Sequence, residues 1–200
     1  MKKFLFLLVF FYTYSLLIAL QKNTTDFVIS FGSCNKQYME NVLWKEISKN
    51  KPDVWIWGGD VVYADTDNMQ KLQRIYTEQS AQKDYKKFIN SVIILGTWDD
   101  HDYGTNDGGK EFHKKKESQQ LFLDFINVAK NDSRRNREGV YHSQVFKTDN
   151  GSVKIIILDT RYFRSGLTKS NVKGKRYQPN KYGNGTVLGK KQWAWLREQL

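Results

Sequence analysis

The sequence holds one cysteine, Cys34, among 200 residues, so no disulfide can close within the chain. The lone thiol is then either a small apolar filler or a ligand. Beyond the N-terminal segment there is also no proline-rich linker, internal repeat or low-complexity tract, and nothing marks a second domain. With 40% hydrophobic and 14% aromatic residues the chain is globular rather than disordered, with room for one sizeable core. No nucleic-acid-binding motif accompanies the formal charge of +11, from 32 Lys+Arg against 21 Asp+Glu. That excess favours anionic partners such as phosphate esters or lipid headgroups. It is equally compatible with solvated lysine faces such as Lys114-Lys115-Lys116 and Lys190-Lys191.

Two lysines, an apolar run from Phe4 to Leu20 and a polar switch at Gln21 make residues 1–22 a secretory signal or an uncleaved anchor. Secretion to the extracellular space or an endomembrane lumen is expected, with membrane contact only if the segment is retained. Sequons at Asn23, Asn131, Asn150 and Asn184 suit an exported glycoprotein, although several can arise by chance in a chain of this composition.

Residues 27–31 (FVISF), 54–57 (VWIW) and 92–95 (VIIL) are short apolar runs that predict buried strands. Between the first two, Val42, Leu43 and Ile47 recur at helical spacing before Pro52. Between the second and third, Asn68 to Asn90 is a longer polar helical stretch anchored by Leu72, Ile75 and Phe88. Strand, helix, strand, helix, strand predicts parallel neighbours joined by right-handed crossovers. Downstream, Phe112 to Lys130 reads as a helix with Leu121, Phe122, Phe125 and Ile126 on its buried face. Residues 139–146 and 153–158 flank Asp149-Asn150-Gly151, a hairpin cue. A loop over 169–185 precedes a helix over 189–200 with Trp193, Leu196 and Leu200 at helical spacing.

Chemistry-bearing groups follow each strand: FGSC, GGDVVYAD, GTWDDHD, and DTR after IIIL. A single aspartate there is often a turn former, an arginine often pairs with a surface acid, and a cysteine is often a hydrophobe. Four strand ends with such residues are harder to explain that way, because α/β sheets bind ligands beyond the carboxyl ends of their strands. Cys34, Asp60, Tyr63, Asp65, Asp99, Asp100 and Asp102 would meet in one crevice, and clustered carboxylates need raised pKa values or cations. Oxygen ligands alone suit magnesium, calcium or manganese; a thiolate and a phenolate point to a transition metal, with ferric iron fitting a phenolate better than zinc. With His101 beside these acids and Arg161 offering a bidentate fork, the set has the parts for phosphoryl hydrolysis. His113 and His142 read as structural.

Residues 31–34, 58–65, 96–107, 158–164 (LDTRYFR) and 188–200 (LGKKQWAWLREQL) together resemble the alkaline phosphatase D (PhoD-like) family of metallophosphoesterases. The match takes in nearly the whole chain after the signal segment, residues 26–200. The resemblance implies a calcineurin-like four-layer α/β/β/α sandwich and hydrolysis of phosphomonoesters or phosphodiesters at a centre of iron (Fe3+) and calcium (Ca2+), other divalent ions being alternatives. Carried over by position, Cys34 would bind the ferric ion, Asp60 would bridge metals and Tyr63 would supply a phenolate. Asp100 rather than Asp99 is expected at the metal, the choice depending on local register. His101 would be the catalytic histidine and Arg161 the phosphate-facing arginine. The family's second half supplies further ligands and has no counterpart here, so a domain incomplete at its C-terminus is expected. The acids favour a phosphatase over a scaffold glycoprotein, but do not separate turnover from a truncated or inactive fragment that only binds metal or phosphate.

Overall fold

In β2 (Val54–Gly58) successive side chains point to opposite faces, sending Trp55 and Trp57 one way and Val54 and Ile56 the other. That alternation sets the layers of this computed structural model, which describes residues 26–200. The expected signal segment and Asn23 lie outside the described residues. The strand is central: β1 (Ile29–Gly32) and β3 (Ile93–Thr97) flank it in parallel, with Ile29 opposite Val54 and Val54 opposite Ile93. Parallel pairing follows from the helical crossovers, as the alternating pattern predicts.

On the tryptophan face lie α1 (Leu43–Lys49), α2 (Met69–Ala81), α3 (Lys83–Ile89) and, further along the chain, α5 (Lys115–Phe125). Trp44 meets Trp55 edge-on at 5.3 Å and stacks on Phe88 at 5.4 Å, and Trp57 Nε1 donates to the buried Tyr85 hydroxyl at 3.1 Å. Removing one such ring would cost on the order of 3–5 kcal/mol. In α1 the buried residue is Trp44 rather than Val42 or Leu43, which are exposed. The helix starts only at Leu43, and packing on the two sheet tryptophans sets its rotation. Residues 68–90 form two helices rather than one, because Gln82 leaves the helical region (ψ 126°) and its side chain donates to the Gln37 carbonyl at 2.8 Å. In α5 the fully buried pair is Phe122 and Leu123; Leu121 and Phe125 are partly buried.

The opposite face, Val54 and Leu95 with Ile56, packs on Phe146, Ile155 and Ile157 of a hairpin, β4 (His142–Thr148) and β5 (Gly151–Ile157). Thr148 pairs with Gly151, so Asp149-Asn150 is the tight turn. Residues of the other parity, Ser143 and Lys154, hydrogen bond to Gln199 of α6 (Gly189–Gln199). The order is helices, parallel sheet, hairpin, helix: the α/β/β/α arrangement, with a two-stranded second sheet. In α6 the inward residue is Gln192 rather than the expected apolar set; Trp193 and Leu200 are exposed. The segment before it carries a short ribbon, β6 (Thr168–Lys169) and β7 (Tyr177–Gln178). No helix among the described residues is long and apolar enough to cross a membrane.

Candidate metal centre

Tight backbone turns gather the carboxyl ends of the three parallel strands. Gly59 has φ +106°, and a β-carbon there would stand 2.5 Å from that of Asp99, so glycine lets the loop after β2 touch the loop after β3. Cys34, Asp60 and Asp65 all adopt the left-handed region, with φ of 57°, 50° and 41°. Such conformations are uncommon for non-glycine residues and cluster at functional sites. The turns are tied together: Cys34 N donates to Gly59 O at 3.3 Å, and the amides of Ala64 and Asp65 both donate to His101 O at 3.2 Å. Asp102 lies in α4 (Asp100–Tyr103), fully buried, and accepts from Asp60 N (3.2 Å), Val61 N (3.1 Å) and Asp99 N (2.8 Å). It braces the two loops, and burial holds its pKa well above the usual carboxylate range.

This framework brings the six expected residues into one linked cluster. Asp60 Oδ2 accepts from the Tyr63 hydroxyl at 3.2 Å and the Cys34 thiol at 3.7 Å. Its Oδ1 is buried without a partner among the described residues. An unsatisfied buried carboxylate oxygen is costly in a folded protein unless something else meets it. Burial, then the charges of Asp99 and Asp100, raise the Asp60 pKa. Asp60, Asp100 and His101 each offer a donor atom within 4.8 Å of the other two. Asp100 Oδ2 accepts from Asp107 N at 2.7 Å and its Oδ1 from Arg161 Nη2 at 3.2 Å. Burial alone would raise Asp100, but the Asp107 amide and the Arg161 charge outweigh it and hold the carboxyl low. His101 Nδ1 pairs with Asp65 Oδ2 at 2.7 Å, and its ring packs on Tyr63 at 4.4 Å. Burial would lower the imidazole pKa; Asp65, then Asp60 and Asp100, raise it instead. Burial raises the Tyr63 phenol as well, reinforced by Cys34 and Asp60.

Arg161 is engaged with protein acids: Nε donates to Asp99 Oδ1 and Nη2 to Asp100. Asp99 therefore points at the arginine, whereas Asp100 belongs to the Asp60–His101 cluster. His142 is buried at the hairpin base and His113 is exposed, both away from this cluster. Three supporting residues had no individual role in the sequence reading: Asp65 as the histidine's partner, Asp102 as the brace and Asp107 as the amide donor to Asp100. The density of acids after β3 was visible in the sequence, but not which of them would turn inward.

The fold and site together define an α/β sandwich with an acid–histidine cluster beyond its parallel strands. The PhoD-like phosphatase family model matches residues 28–200, and the chain belongs to that family. A solved structure described as the structure of PhoD superposes with a TM-score of 0.62 at 20% sequence identity, covering 85% of this chain and 38% of that one. At that identity the likeness shows the fold, and the chain spans about 38% of the length of the protein it matches. No curated protein matches the chain.

Proposed function

We propose that the chain carries the core of a metal-dependent phosphate ester hydrolase site, with Asp60, Asp100, Tyr63 and Cys34 holding metal and His101 and Arg161 serving the phosphate. The observation that carries this is Asp60: one oxygen gathers the phenol and the thiol, and the other is buried and unpartnered beside Asp100 and His101. The donor set fits a metal, since thiol, phenol and carboxylate together suit ferric iron and the remaining carboxylate oxygens suit calcium. A bound cation would supply Lewis acidity and favour the phenolate of Tyr63, which its protein surroundings alone disfavour.

The residues' own work follows from the geometry. Asp65 fixes the His101 ring through Nδ1 and favours the imidazolium, leaving Nε2 to donate a proton to the leaving oxygen of an ester. Arg161 orients Asp100, and exchanging Asp99, the more exposed of its two partners, for a phosphate oxygen would turn Nε to the substrate while Nη2 keeps Asp100. Export through the N-terminal segment belongs to the same reading, supported by exposed sequons at Asn131, Asn150 and Asn184. A second reading, metal or phosphate binding without turnover, asks only for the Asp60–Asp100–His101 cluster.

Elemental analysis and a chromogenic phosphate ester assay on the same preparation separate the two. Bound metal with turnover supports the hydrolase; bound metal without turnover supports the binding protein. Asp60→Asn should lower metal occupancy and any turnover by about 100-fold or more. Unchanged metal content in that variant would sink both readings.

A further inference from the structure

Three arginines converge on the loop Asn106–Gly108 beside Asp100. Arg161 Nη1 reaches Gly108 O at 3.5 Å, Arg164 Nη2 donates to the carbonyls of Asp107 and Gly108, and Arg176 Nη2 pairs with Asp107 Oδ2 at 2.7 Å. The first two guanidinium groups are largely enclosed and donate to protein acceptors, Arg164 through Nη2 while its Nε is buried without a partner among the described residues. Arg176 differs, with its side chain 66% exposed. It is nevertheless held in place: the Tyr177 hydroxyl donates to the same Asp107 oxygen at 2.8 Å, and the guanidinium lies 5.0 Å over the Tyr177 ring. Asp107 in turn donates its amide to Asp100 Oδ2 at 2.7 Å. The Asn106 amide, oriented to suit its neighbours, bridges Asp100 Oδ2 and Arg176 Nη2 at 3.1 Å each. An exposed cation therefore stands one amide away from a carboxylate of the metal centre.

The fold has little use for this arrangement. An exposed ion pair contributes about 0–1 kcal/mol, and the β6–β7 ribbon is exposed over most of its length. Its composition is one-sided: no Asp or Glu occurs between Asp159 and Glu198, while residues 168–181 carry Lys169, Lys173, Lys175, Arg176 and Lys181. A solvated lysine face elsewhere looks different, since Lys114 pairs with Glu117 and Lys191 with Glu138. A rim of one sign beside a site concentrates oppositely charged ligands, and a planar guanidinium matches an oxyanion in two-point fashion.

We propose that the β6–β7 ribbon is the substrate-selecting wall of the candidate metal centre. Arg176 receives a second oxyanion on the ester, so the preferred substrates carry negative charge beyond the phosphate that is cleaved. This rests on the hydrolase reading for the identity of the ligand but not for its binding. The test therefore uses two phosphonates that cannot be hydrolysed, 3-phosphonopropionate and the similarly sized propylphosphonate, titrated calorimetrically into the full chain with the metals it retains. The compound with the added carboxylate, 3-phosphonopropionate, should bind about 10-fold more tightly, as one added charge-assisted contact implies. Arg176→Gln should bring the ratio to within about 2-fold, Tyr177→Phe should lower it partway, and Lys190→Gln, an equal charge change elsewhere, should leave it intact. Equal affinity in the unaltered chain, no binding of either compound, or a preference that survives Arg176→Gln overturns the proposal. A preference that depends on Arg176 in a chain with no esterase activity would retain the anion site and sink the hydrolase; turnover without preference would do the reverse.

Discussion

Asp60, after β2, and Asp159, after β5, are both buried carboxylates at the ends of strands, yet their surroundings differ in kind. Asp159 is saturated. Its Oδ1 accepts from Trp98 Nε1 and the amides of Arg161 and Tyr162, each at 2.9 Å, and its Oδ2 from Val140 N at 2.9 Å. Even its backbone is matched, N–H and C=O both meeting the amide of Gln192 at 2.8 and 2.7 Å. Asp60 keeps one buried oxygen unpartnered among the described residues. The two histidines differ in charge rather than in saturation, since His142 Nε2 is itself buried without a partner among the described residues. His101 is raised in pKa among acids, whereas His142 is pushed down to about 4, first by burial and then by the Arg134 charge. Around Asp159 the polar groups join Trp98, the entry to the hairpin and α6; the strand-end cluster holds a carboxylate oxygen whose partner the described residues do not supply. A region can therefore be structural or receptive with the same residue types, according to whether its hydrogen-bonding capacity is filled.

The largest effect expected from this contrast is at Asp159. Asp159→Ala leaves the Trp98 indole and the amides of Val140, Arg161 and Tyr162 without their partner, and should cost about 3–5 kcal/mol of stability or prevent folding, measured by denaturant titration. Asp60→Asn should cost little in metal-free protein, because the carboxylate there is poorly satisfied. Equal losses in the two variants would break the comparison. Next comes acid stability. His142 has a folded value of about 4 against an ordinary 6.5, so the unfolded chain takes up the proton first. Stability should be full above about pH 6.5 and fall by about 3 kcal/mol as pH drops toward 4. His142→Gln should flatten that part of the profile.

A smaller and opposite effect belongs to His101. Its folded pKa is raised, so its contribution is present below the unfolded value and lost as pH rises through the folded one. Asp65→Asn should lower the imidazole pKa in an NMR titration of metal-free protein, and change stability by less than about 1 kcal/mol. Unchanged titration would show that Asp65 does not orient the ring. The smallest effect is at Tyr177: removing its hydroxyl deletes one hydrogen bond at the rim, worth about 0.5–1 kcal/mol, with slightly earlier thermal unfolding as the readout.

Much of the architecture was legible because apolar runs and turn residues leave local signatures. The three parallel strands, the Asn-Gly hairpin and the N-terminus of α2 at Asn68, whose side chain accepts from Lys71 N at 3.0 Å, all carry such marks. The rule that ligands bind beyond parallel strand ends gathered Cys34, Asp60, Tyr63, Asp65, Asp99, Asp100 and Asp102. The choice of Asp100 among them and the roles of His101 and of Arg161, which follows the antiparallel β5, came from the resemblance to the PhoD-like family. The break at Gln82 left no trace, since neither glycine nor proline marks it and a contact to Gln37 accompanies it. The burial of Gln192 was equally hidden, because helical spacing identifies apolar faces and not a glutamine that matches one peptide unit.

Taken alone, the order and spacing of residues determined the strand-helix alternation, the parallel sheet it requires and the set of groups that would stand at its carboxyl end. Those are consequences of side-chain period and chain connectivity. Tertiary structure alone decided which acids face inward, which are saturated and which keep capacity for a ligand. Asp99 meets arginine, Asp100 meets Asp60 and His101, Asp102 closes on backbone amides, and Arg176 arrives from a distant ribbon. The physical reason is that hydrogen bonds and charge pairs act over a few ångströms in space, with no period along the chain.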